Sequence, residues 1–335
     1  MILPGSDPAA IDAAAQALAR GELVGLPTET VYGLGADADN PQAVAQVFAA
    51  KGRPSDHPLI VHVTDATQAL RYADPIPPMA QRLMAAHWPG PLTLILPRRP
   101  GVAQASAGGQ DSIGLRCPSH PVARALMHAA RALGVHGIAA PSANRFGRVS
   151  PTTAQHVQDE LGTELLVLDG GPCEVGIEST IIDCTRGHPV LLRPGMVSVD
   201  ALSAACEEPV LTPQAFAQLN TSSSAAPRAS GTLESHYAPM ARVHVLPTAD
   251  LQARLDALSH DPERTHYGVW ARTALRTPVG VTHRPMPGNA AACAHVLFAE
   301  LRAFDQLGMR HILVEAPPDS PTWDGVRDRL TRAAA

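Results

Sequence analysis

The sequence predicts an α/β protein with a larger N-terminal domain, a linker and a smaller C-terminal α/β domain. The chain has 335 residues, more than a typical single domain. Apolar segments of strand length alternate with segments of helical periodicity along most of it. The segment 207–235 breaks this alternation, because residues 221–227 are small or polar and have no periodicity. We therefore expect domains at 1–206 and 240–335, joined by a linker at 207–239.

The larger domain is expected to begin with a helix over 7–20 and a strand over 23–26, which runs into a loop over 27–35. Asn40 and Pro41 resemble an N-cap and a first helical residue, so they predict a helix ending near Lys51. Ser150 and Pro151 predict the start of a helix that runs to residue 161. The other elements expected in this domain are strands at 59–63, 92–96, 113–116, 137–140, 165–168, 180–183 and 190–192, and helices at 66–72, 78–87 and 121–133.

The smaller domain repeats the alternation of strands and helices after the linker. Its strands are expected at 243–246, 267–270 and 311–314, and its helices at 249–258, at 290–307 and from 325 onward.

Composition excludes several classes of protein. A net charge of −5 argues against a protein that coats nucleic acid nonspecifically. The five cysteines are an odd number without a Cys-x-x-Cys pair, which disfavours a zinc site or a disulfide framework and favours a reducing cytoplasm. The N-terminus does not have the pattern of a secretory signal, and no apolar run approaches the ~20 residues of a membrane span. We expect a cytoplasmic protein.

Lys51 is the single lysine among 26 basic residues, and it stands in the phrase Lys51-Gly52-Arg53-Pro54. An ammonium group is a compact point charge suited to a phosphate oxygen, whereas a guanidinium is a planar fork. Lys51 therefore predicts a phosphate-handling site, although an arginine-rich composition could also leave one lysine by chance. Its place at a helix end beside a loop predicts little contribution to packing.

Other polar residues follow predicted strands or begin a predicted helix. Ser142 and Asn144 follow the strand at 137–140, and ligands in α/β sheets bind at the carboxyl ends of strands. Ser150 could bind an anion at a helix start or serve only as an N-cap. Arg116 could clamp a carboxylate or form an ordinary ion pair, and His62 could be a plain sheet-face residue. The usual phosphate-loop, dinucleotide and hydrolase motifs are absent from the sequence.

Together these segments resemble the YrdC-type family, and specifically its two-domain form, the L-threonylcarbamoyladenylate synthases. The resemblance covers about residues 10–200 and continues in His236-Tyr237-Ala238-Pro239 and Val314-Glu315-Ala316-Pro317-Pro318. The matching phrases of the first domain are Pro27 to Gly35, Lys51-Gly52-Arg53-Pro54, Pro58 to Val63, Trp88 to Thr93, Gly114 to Pro118, Ala140 to Asn144, Gly176 to Asp183 and Leu192 to Gly195. One departure is Ser230 to Ser235, where relatives commonly carry Pro-Gly-Met-Lys-Tyr or a similar segment.

The resemblance implies a twisted sheet with a concave basic cavity, and an enzyme that joins threonine, bicarbonate and ATP. The product, threonylcarbamoyl-AMP, is expected to feed the formation of threonylcarbamoyladenosine in tRNA. The implied partners are the substrates ATP, L-threonine and bicarbonate, the downstream machinery that transfers the threonylcarbamoyl group, and tRNA itself, without a membrane. Mg²⁺ is expected to accompany ATP, held mainly by phosphates and water.

The resemblance also assigns residues. Lys51, Arg53, Ser142 and Asn144 are expected to be catalytic. The residues expected to bind ATP are Arg53, His57, Ser112, Ser142, Ser150, Arg193 and Tyr237. The residues expected to bind threonine are Thr30, His62, Arg116, Ala140 and Ser179.

Two alternative functions stay open at this stage. The first is an RNA-binding module of the same fold, which the net charge of −5 and the aromatic content of 4% disfavour. The second is a carbamoyltransferase that acts through a carbamoyl-adenylate. Relatives of that kind carry zinc-finger and acylphosphatase-like parts, which this sequence does not contain.

Overall fold

The computed structural model describes residues 1–219, 226–231 and 236–335, and these residues form a mixed α/β structure as expected. They divide into two compact units. The first unit comprises Met1–Phe146 and Ser150–Thr232, and the second comprises Gly147–Val149 and Leu233–Ala335. The domain boundaries at 206 and 239 stay a prediction. Within the segment 207–239, residues 213–219 form a helix that the sequence did not predict.

Ten of the described strands of the first unit form one mixed sheet, in the order β1-β8-β2-β3-β7-β4-β6-β5-β9-β10. These strands are β1 (Ile2–Pro4), β2 (Val24–Leu26), β3 (Gly33–Asp37), β4 (Ile60–His62), β5 (Leu92–Pro97), β6 (Ser112–Arg116), β7 (Ile138–Ala139), β8 (Leu166–Asp169), β9 (Thr180–Asp183) and β10 (Val190–Arg193). The helices of this unit are α1 (Pro8–Ala19), α2 (Pro41–Lys51), α3 (Ala66–Ala69), α4 (Pro78–His87), α5 (Pro121–Ala132), α6 (Ala154–Leu161), α7 (Val199–Cys206) and α8 (Pro213–Leu219).

Strand β3 lies inside the segment predicted to be a loop, so that prediction is wrong for Gly33 to Gly35. The strand is glycine-rich because its neighbours approach closely. A Cβ atom on Gly35 would lie 2.8 Å from a methyl carbon of Leu26 and 2.9 Å from one of Ile138. Glycine therefore marks close packing between strands here.

Two hydrophobic clusters hold the helices to this sheet. One joins α1 and α5 through residues such as Leu18 and Leu126. The other contains Val61 of β4 and Leu115 of β6. Because side chains alternate along a strand, the next residues, His62 and Arg116, point to the opposite face. These two residues are also direct partners in the parallel register of β4 and β6, so the fold places them side by side.

The second unit contains a four-stranded parallel sheet in the order β11-β14-β12-β13. Its strands are β11 (Arg242–Leu246), β12 (Tyr267–Ala271), β13 (Thr282–Pro285) and β14 (His311–Glu315). Its α-helices are α9 (Thr248–Leu258), α10 (Ala290–Gln306) and α11 (Asp324–Ala333). The strand β13 was not predicted; it carries only four residues, and two of them are exposed.

Candidate active site

Lys51 ends helix α2, as predicted, and Gly52 follows in the left-handed conformation with φ 61°. The lysine is only 3% exposed. Its Nζ donates hydrogen bonds to the carbonyl oxygen of Ser142, at 2.5 Å, and to that of Asn144. The expectation that Lys51 contributes little to packing is therefore wrong. Its ammonium group fixes the loop that follows β7, and it brings together three of the four residues expected to be catalytic.

Burial makes this ammonium group easy to deprotonate. Desolvation, and then the nearby charge of Arg53, lower the pKa of Lys51 to about 7. Glu160 and Glu178 act in the opposite direction. Lys51 consequently changes charge near neutral pH, and an anion bound nearby would restore its proton.

The side chains of Arg53 and His57 both contact the ring of Phe146. The guanidinium carbon of Arg53 lies 5.7 Å from the ring centroid, and the His57 ring meets it edge-on at 5.5 Å. Arg53 Nη2 also donates to the carbonyl oxygen of Pro58 at 2.9 Å. The backbone N–H of Phe146 donates a hydrogen bond to the carbonyl oxygen of Lys51, at the end of helix α2, at 2.8 Å. The structure therefore places His57 beside Arg53.

Arg193 is buried at the end of β10, next to the start of β9. Its Nε and Nη2 donate to the carbonyl oxygen of Ser179 at 3.0 and 2.9 Å, and Nη2 also reaches Ser179 Oγ at 3.2 Å. That hydroxyl lies 2.7 Å from Thr93 Oγ1. A residue predicted to bind ATP, Arg193, therefore orients one predicted to bind threonine, Ser179.

Arg116 is fixed by a buried acid and a hydroxyl. Its Nη2 lies 2.6 Å from Glu29 Oε1, with both side chains no more than 5% exposed. Its Nη1 donates to Thr30 Oγ1 at 2.7 Å, and its Nε donates to the carbonyl oxygen of Gly90 at 3.3 Å. The second oxygen of Glu29 accepts from the backbone N–H of Ser119 at 3.1 Å. Thr30 and Arg116, both predicted to bind threonine, are thus in direct contact.

His62 lies beside Arg116 in the sheet register and is 3% exposed. Its Nδ1 has no hydrogen-bond partner among the described residues. Burial, and then the charge of Arg116, hold the pKa of His62 well below its usual value. The imidazole is therefore neutral at physiological pH and can accept a hydrogen bond from a ligand.

Ser150 is not a helix cap. Helix α6 begins at Ala154, and Thr153 caps it by accepting a hydrogen bond from the His156 N–H at 3.2 Å. The predicted helix start at Ser150 is therefore wrong, because helix α6 begins only at Ala154. Ser150 is instead fully buried and donates to Glu178, which leaves its role as an anion-binding residue a prediction.

The segment 226–231 lies over the residues predicted to bind ATP. The carbonyl oxygen of Ser230 accepts from Arg193 Nη1 at 2.9 Å, and its hydroxyl is 3.2 Å from Arg53 Nη2. Arg228 exchanges two hydrogen bonds with the Gln110 side chain, at 2.8 and 3.3 Å, through its backbone. Beneath the segment, Ser112 lines a cavity of about 10 Å³, which holds about one water molecule.

Comparison with known proteins places this arrangement in a family. The profile that groups the Sua5, YciO and YrdC proteins, described as "Telomere recombination", matches residues 16–195. A second profile, described as "Threonylcarbamoyl-AMP synthase, C-terminal domain", matches residues 197–335. The chain belongs to the Sua5/YciO/YrdC family.

Two curated members of the family match nearly the whole chain. A threonylcarbamoyl-AMP synthase of Bacillus subtilis is 36% identical over 99% of this chain and 94% of its own length. A second, from Pyrococcus abyssi, is 36% identical over 96% of this chain and 93% of its own length. A crystal structure of P. abyssi Sua5 complexed with L-threonine has a TM-score of 0.87 at 34% identity, and covers 98% of this chain and 95% of that one.

Not every predicted residue of this Sua5/YciO/YrdC protein joins the cluster through its side chain. Ala140 uses its backbone N–H to pair with strand β4, donating to the carbonyl oxygen of Ile60 at 3.0 Å, and its assignment to threonine stays a prediction. Tyr237 belongs to the second unit, where its ring packs 5.4 Å from that of Phe298 and beneath the Arg329 guanidinium, 5.3 Å away. Its assignment to ATP stays a prediction.

Three residues of the site, Glu29, Glu178 and Ser230, were not predicted from the sequence. Glu29 and Glu178 both stand in the family phrases, and each has only uncharged residues for at least four positions on either side within its phrase or up to the phrase's edge. That isolation was a usable signal, since a buried acid needs a partner. Ser230 lies in the segment that departs from the family pattern, so the resemblance gave no reason to choose it.

Among the residues that the structure describes, no group of three or more histidine, cysteine, aspartate or glutamate side chains could hold a metal ion. In the same part of the chain, no helix is both long enough and apolar enough to span a bilayer.

Proposed function

We propose that this chain is a threonylcarbamoyl-AMP synthase, which converts L-threonine, bicarbonate and ATP into threonylcarbamoyl-AMP, pyrophosphate and water. The observation that carries the proposal is the full-length relationship to proteins of that name, with 36% identity over 99% of the chain. Both family profiles contribute, one for each part of the chain. The clustering of predicted residues around Lys51 and Arg116 supports the same function.

The reaction requires two anions to meet. The amine of threonine is carboxylated by bicarbonate to a carbamate with loss of water, and a carbamate oxygen then attacks the α-phosphorus of ATP while pyrophosphate leaves. Fixed positive charge and aligned donors lower the barrier for such a step most effectively. Lys51, Arg53 and Arg193 are buried cations of the cluster, and we assign them to the phosphates. Ser142, Asn144, Ser112 and Ser150 would complete the phosphate contacts.

We assign the carboxylate of threonine to Arg116. A guanidinium carries five N–H donors, and Gly90, Thr30 and Glu29 engage one each through Nε, Nη1 and Nη2. One N–H on each Nη remains, and a carboxylate would accept from these two donors. Because Glu29 and Thr30 already fix the side chain, little entropy is lost when threonine binds. His62 would contribute a neutral acceptor nearby.

The segment 226–231 would have to move before ATP reaches its residues. Ser230 is bonded to both Arg53 and Arg193, and only about 10 Å³ remains over Ser112. After ATP enters, the same segment could close again and shield the labile adenylate from water. We infer that segment 226–231 acts as a strap over the nucleotide site.

Mg²⁺ is proposed to arrive with ATP. The two buried acids of the cluster are already engaged, Glu29 by Arg116 and Glu178 by Ser150. The donor set therefore fits an ion held mainly by phosphate oxygens and water. When bound, Mg²⁺ would neutralise phosphate charge.

The product would pass to an enzyme that transfers the threonylcarbamoyl group to tRNA, and contact with tRNA is part of the same proposal.

Pyrophosphate release tests the function. Release should require ATP, threonine and bicarbonate together, and serine or valine should replace threonine poorly. Carbamoyl phosphate should not replace bicarbonate, which separates this reaction from carbamoyl-adenylate formation. Release that is independent of threonine would contradict the proposal.

A further inference from the structure

A cleft of about 530 Å³ opens on the first unit just beyond the ends of β4 and β6. Pockets that bind small molecules usually have volumes of this order. The cleft is bounded by residues of α3, α4 and α5 and by the turn that contains Trp88 and Pro89. Its wall includes Thr64 and Cys117, which come just after His62 and Arg116 in the sequence. The wall contains none of the residues assigned to ATP or threonine.

Most of the wall is apolar. Ile76, Met84 and Trp88 line it, and Leu70 stands at its rim with 51% of its surface exposed. Trp88 keeps its ring in place by donating from Nε1 to the carbonyl oxygen of Leu92, at 2.8 Å. A ligand that fills this space would need an apolar body to bury these side chains.

The wall also contains a cation without an acidic partner. Arg124 is half-buried, and its Nη1 approaches Cys117 Sγ at 3.7 Å. In the described part of the chain, no carboxylate lies within ion-pair distance of it. The acid in the wall, Asp65, is engaged elsewhere: it caps Gln68 N at 2.7 Å and lies 4.0 Å from Arg131. A guanidinium beside an apolar surface suits a carboxylate that carries an apolar body.

Hydrogen bonds to the backbone of Gly90 connect the cleft with Arg116, one of the residues predicted to bind threonine. Gly90 follows Trp88 and Pro89 in the turn, and its carbonyl oxygen accepts from Arg116 Nε at 3.3 Å. Its N–H donates to the carbonyl oxygen of Cys117 at 2.8 Å. A ligand that displaces Trp88 or Cys117 would therefore also displace Gly90, whose carbonyl oxygen accepts from Arg116, or Cys117 itself, which is the next residue after Arg116.

We propose that this cleft is an effector site for a small monocarboxylate with an apolar body, and that its occupancy changes the affinity for threonine through Gly90 and Arg116. By linkage, threonine must change the affinity for the effector by the same factor.

The fluorescence of Trp88 can report the binding of a ligand in this cleft. Trp88 lines the cleft, whereas the other two tryptophans, Trp270 and Trp323, are buried in the second unit. Titration of the full chain with 4-phenylbutyrate should change tryptophan fluorescence, and the uncharged 4-phenylbutyramide should bind roughly tenfold more weakly or worse. The charge variant Arg124→Gln should bind the acid and the amide equally. The filled variant Ala85→Phe places a ring in the cleft from an exposed position and should bind neither.

Arg20→Gln is the matched control, because this exposed arginine pairs with Glu22 and does not line the cleft. It should bind 4-phenylbutyrate as the unmodified chain does. Equal binding of acid and amide by the unmodified chain, or full binding by Ala85→Phe, would overturn the site. The effector role is read separately from the KM for threonine in pyrophosphate release, which saturating 4-phenylbutyrate should shift in the unmodified chain and not in Ala85→Phe. Binding without any such shift would overturn the effector role.

Discussion

Arg116 and Glu29 form a buried ion pair in which Nη2 lies 2.6 Å from Oε1. The pair joins residues 87 positions apart in the sequence, one from the loop before β3 and one from the end of β6. Because both groups are buried, each depends on the other for compensation of its charge. Arg116 therefore balances the charge of Glu29, and we propose that it also receives the carboxylate of threonine, two tasks that variants can separate.

We expect Arg116→Ala to raise the KM for threonine much more than that for ATP. A lost bidentate contact costs on the order of 2 to 3 kcal/mol, roughly 30- to 150-fold in kcat/KM. The variant should also be less stable by about 3 to 5 kcal/mol, since it leaves Glu29 buried without a partner. The double variant Arg116→Met with Glu29→Gln should recover much of the thermal stability but not the activity. An unchanged threonine response in Arg116→Ala would refute the assignment.

Lys51→Arg should lose most of its turnover even though it keeps the charge. The planar guanidinium cannot place one donor between the carbonyl oxygens of Ser142 and Asn144 as Nζ does. The buried site also leaves little room for the larger group. The measurement is pyrophosphate release at saturating substrates, with thermal melts to report folding. Near-normal turnover would mean that only the charge matters at this position.

Binding of ATP at pH 8 should take up close to one proton. The pKa of Lys51 is lowered to about 7 in the unliganded protein, mainly by burial, so at pH 8 most molecules carry a neutral amine. The phosphates of ATP favour the ammonium form and raise this pKa, which draws a proton from solution. Calorimetry in two buffers of different ionisation enthalpy measures the uptake. Lys51→Met is the control and should show none; equal uptake by this variant would assign the proton to another group.

Loosening the strap 226–231 should strengthen the binding of ATP. The strap is held in part by an exposed ion pair between Arg228 and Asp56, 2.5 Å apart, and such pairs contribute about 0.2 to 1 kcal/mol. Arg228→Ala should therefore lower the Kd for ATP up to about fivefold, because ATP competes with the closed strap. Arg20→Ala, which breaks another exposed pair, should leave the Kd unchanged. A weaker affinity in Arg228→Ala would show that the strap helps to hold ATP instead of excluding it.

Local sequence patterns predicted the elements that carry the site better than the contacts within it. The helix ending at Lys51 is confirmed, because Asn40, Pro41 and Gly52 each have a strong positional preference. The strand β3 was missed because glycine signals a turn unless the packing of Leu26 and Ile138 around it is known. The burial of Lys51 and its pairing with the carbonyl groups of the 142–144 loop depend on residues more than 90 positions away. The sequence alone cannot supply such distances.

The most direct test of the proposed function is the fate of carbon from bicarbonate. The full chain, incubated with ATP, L-threonine and ¹³C-labelled bicarbonate, should form threonylcarbamoyl-AMP that carries the label in its carbamoyl carbon, as mass spectrometry can detect. Arg116→Ala should form much less of it, and Arg20→Ala a normal amount. Formation of unlabelled product, or release of pyrophosphate without any threonylcarbamoyl-AMP, would contradict the proposed function.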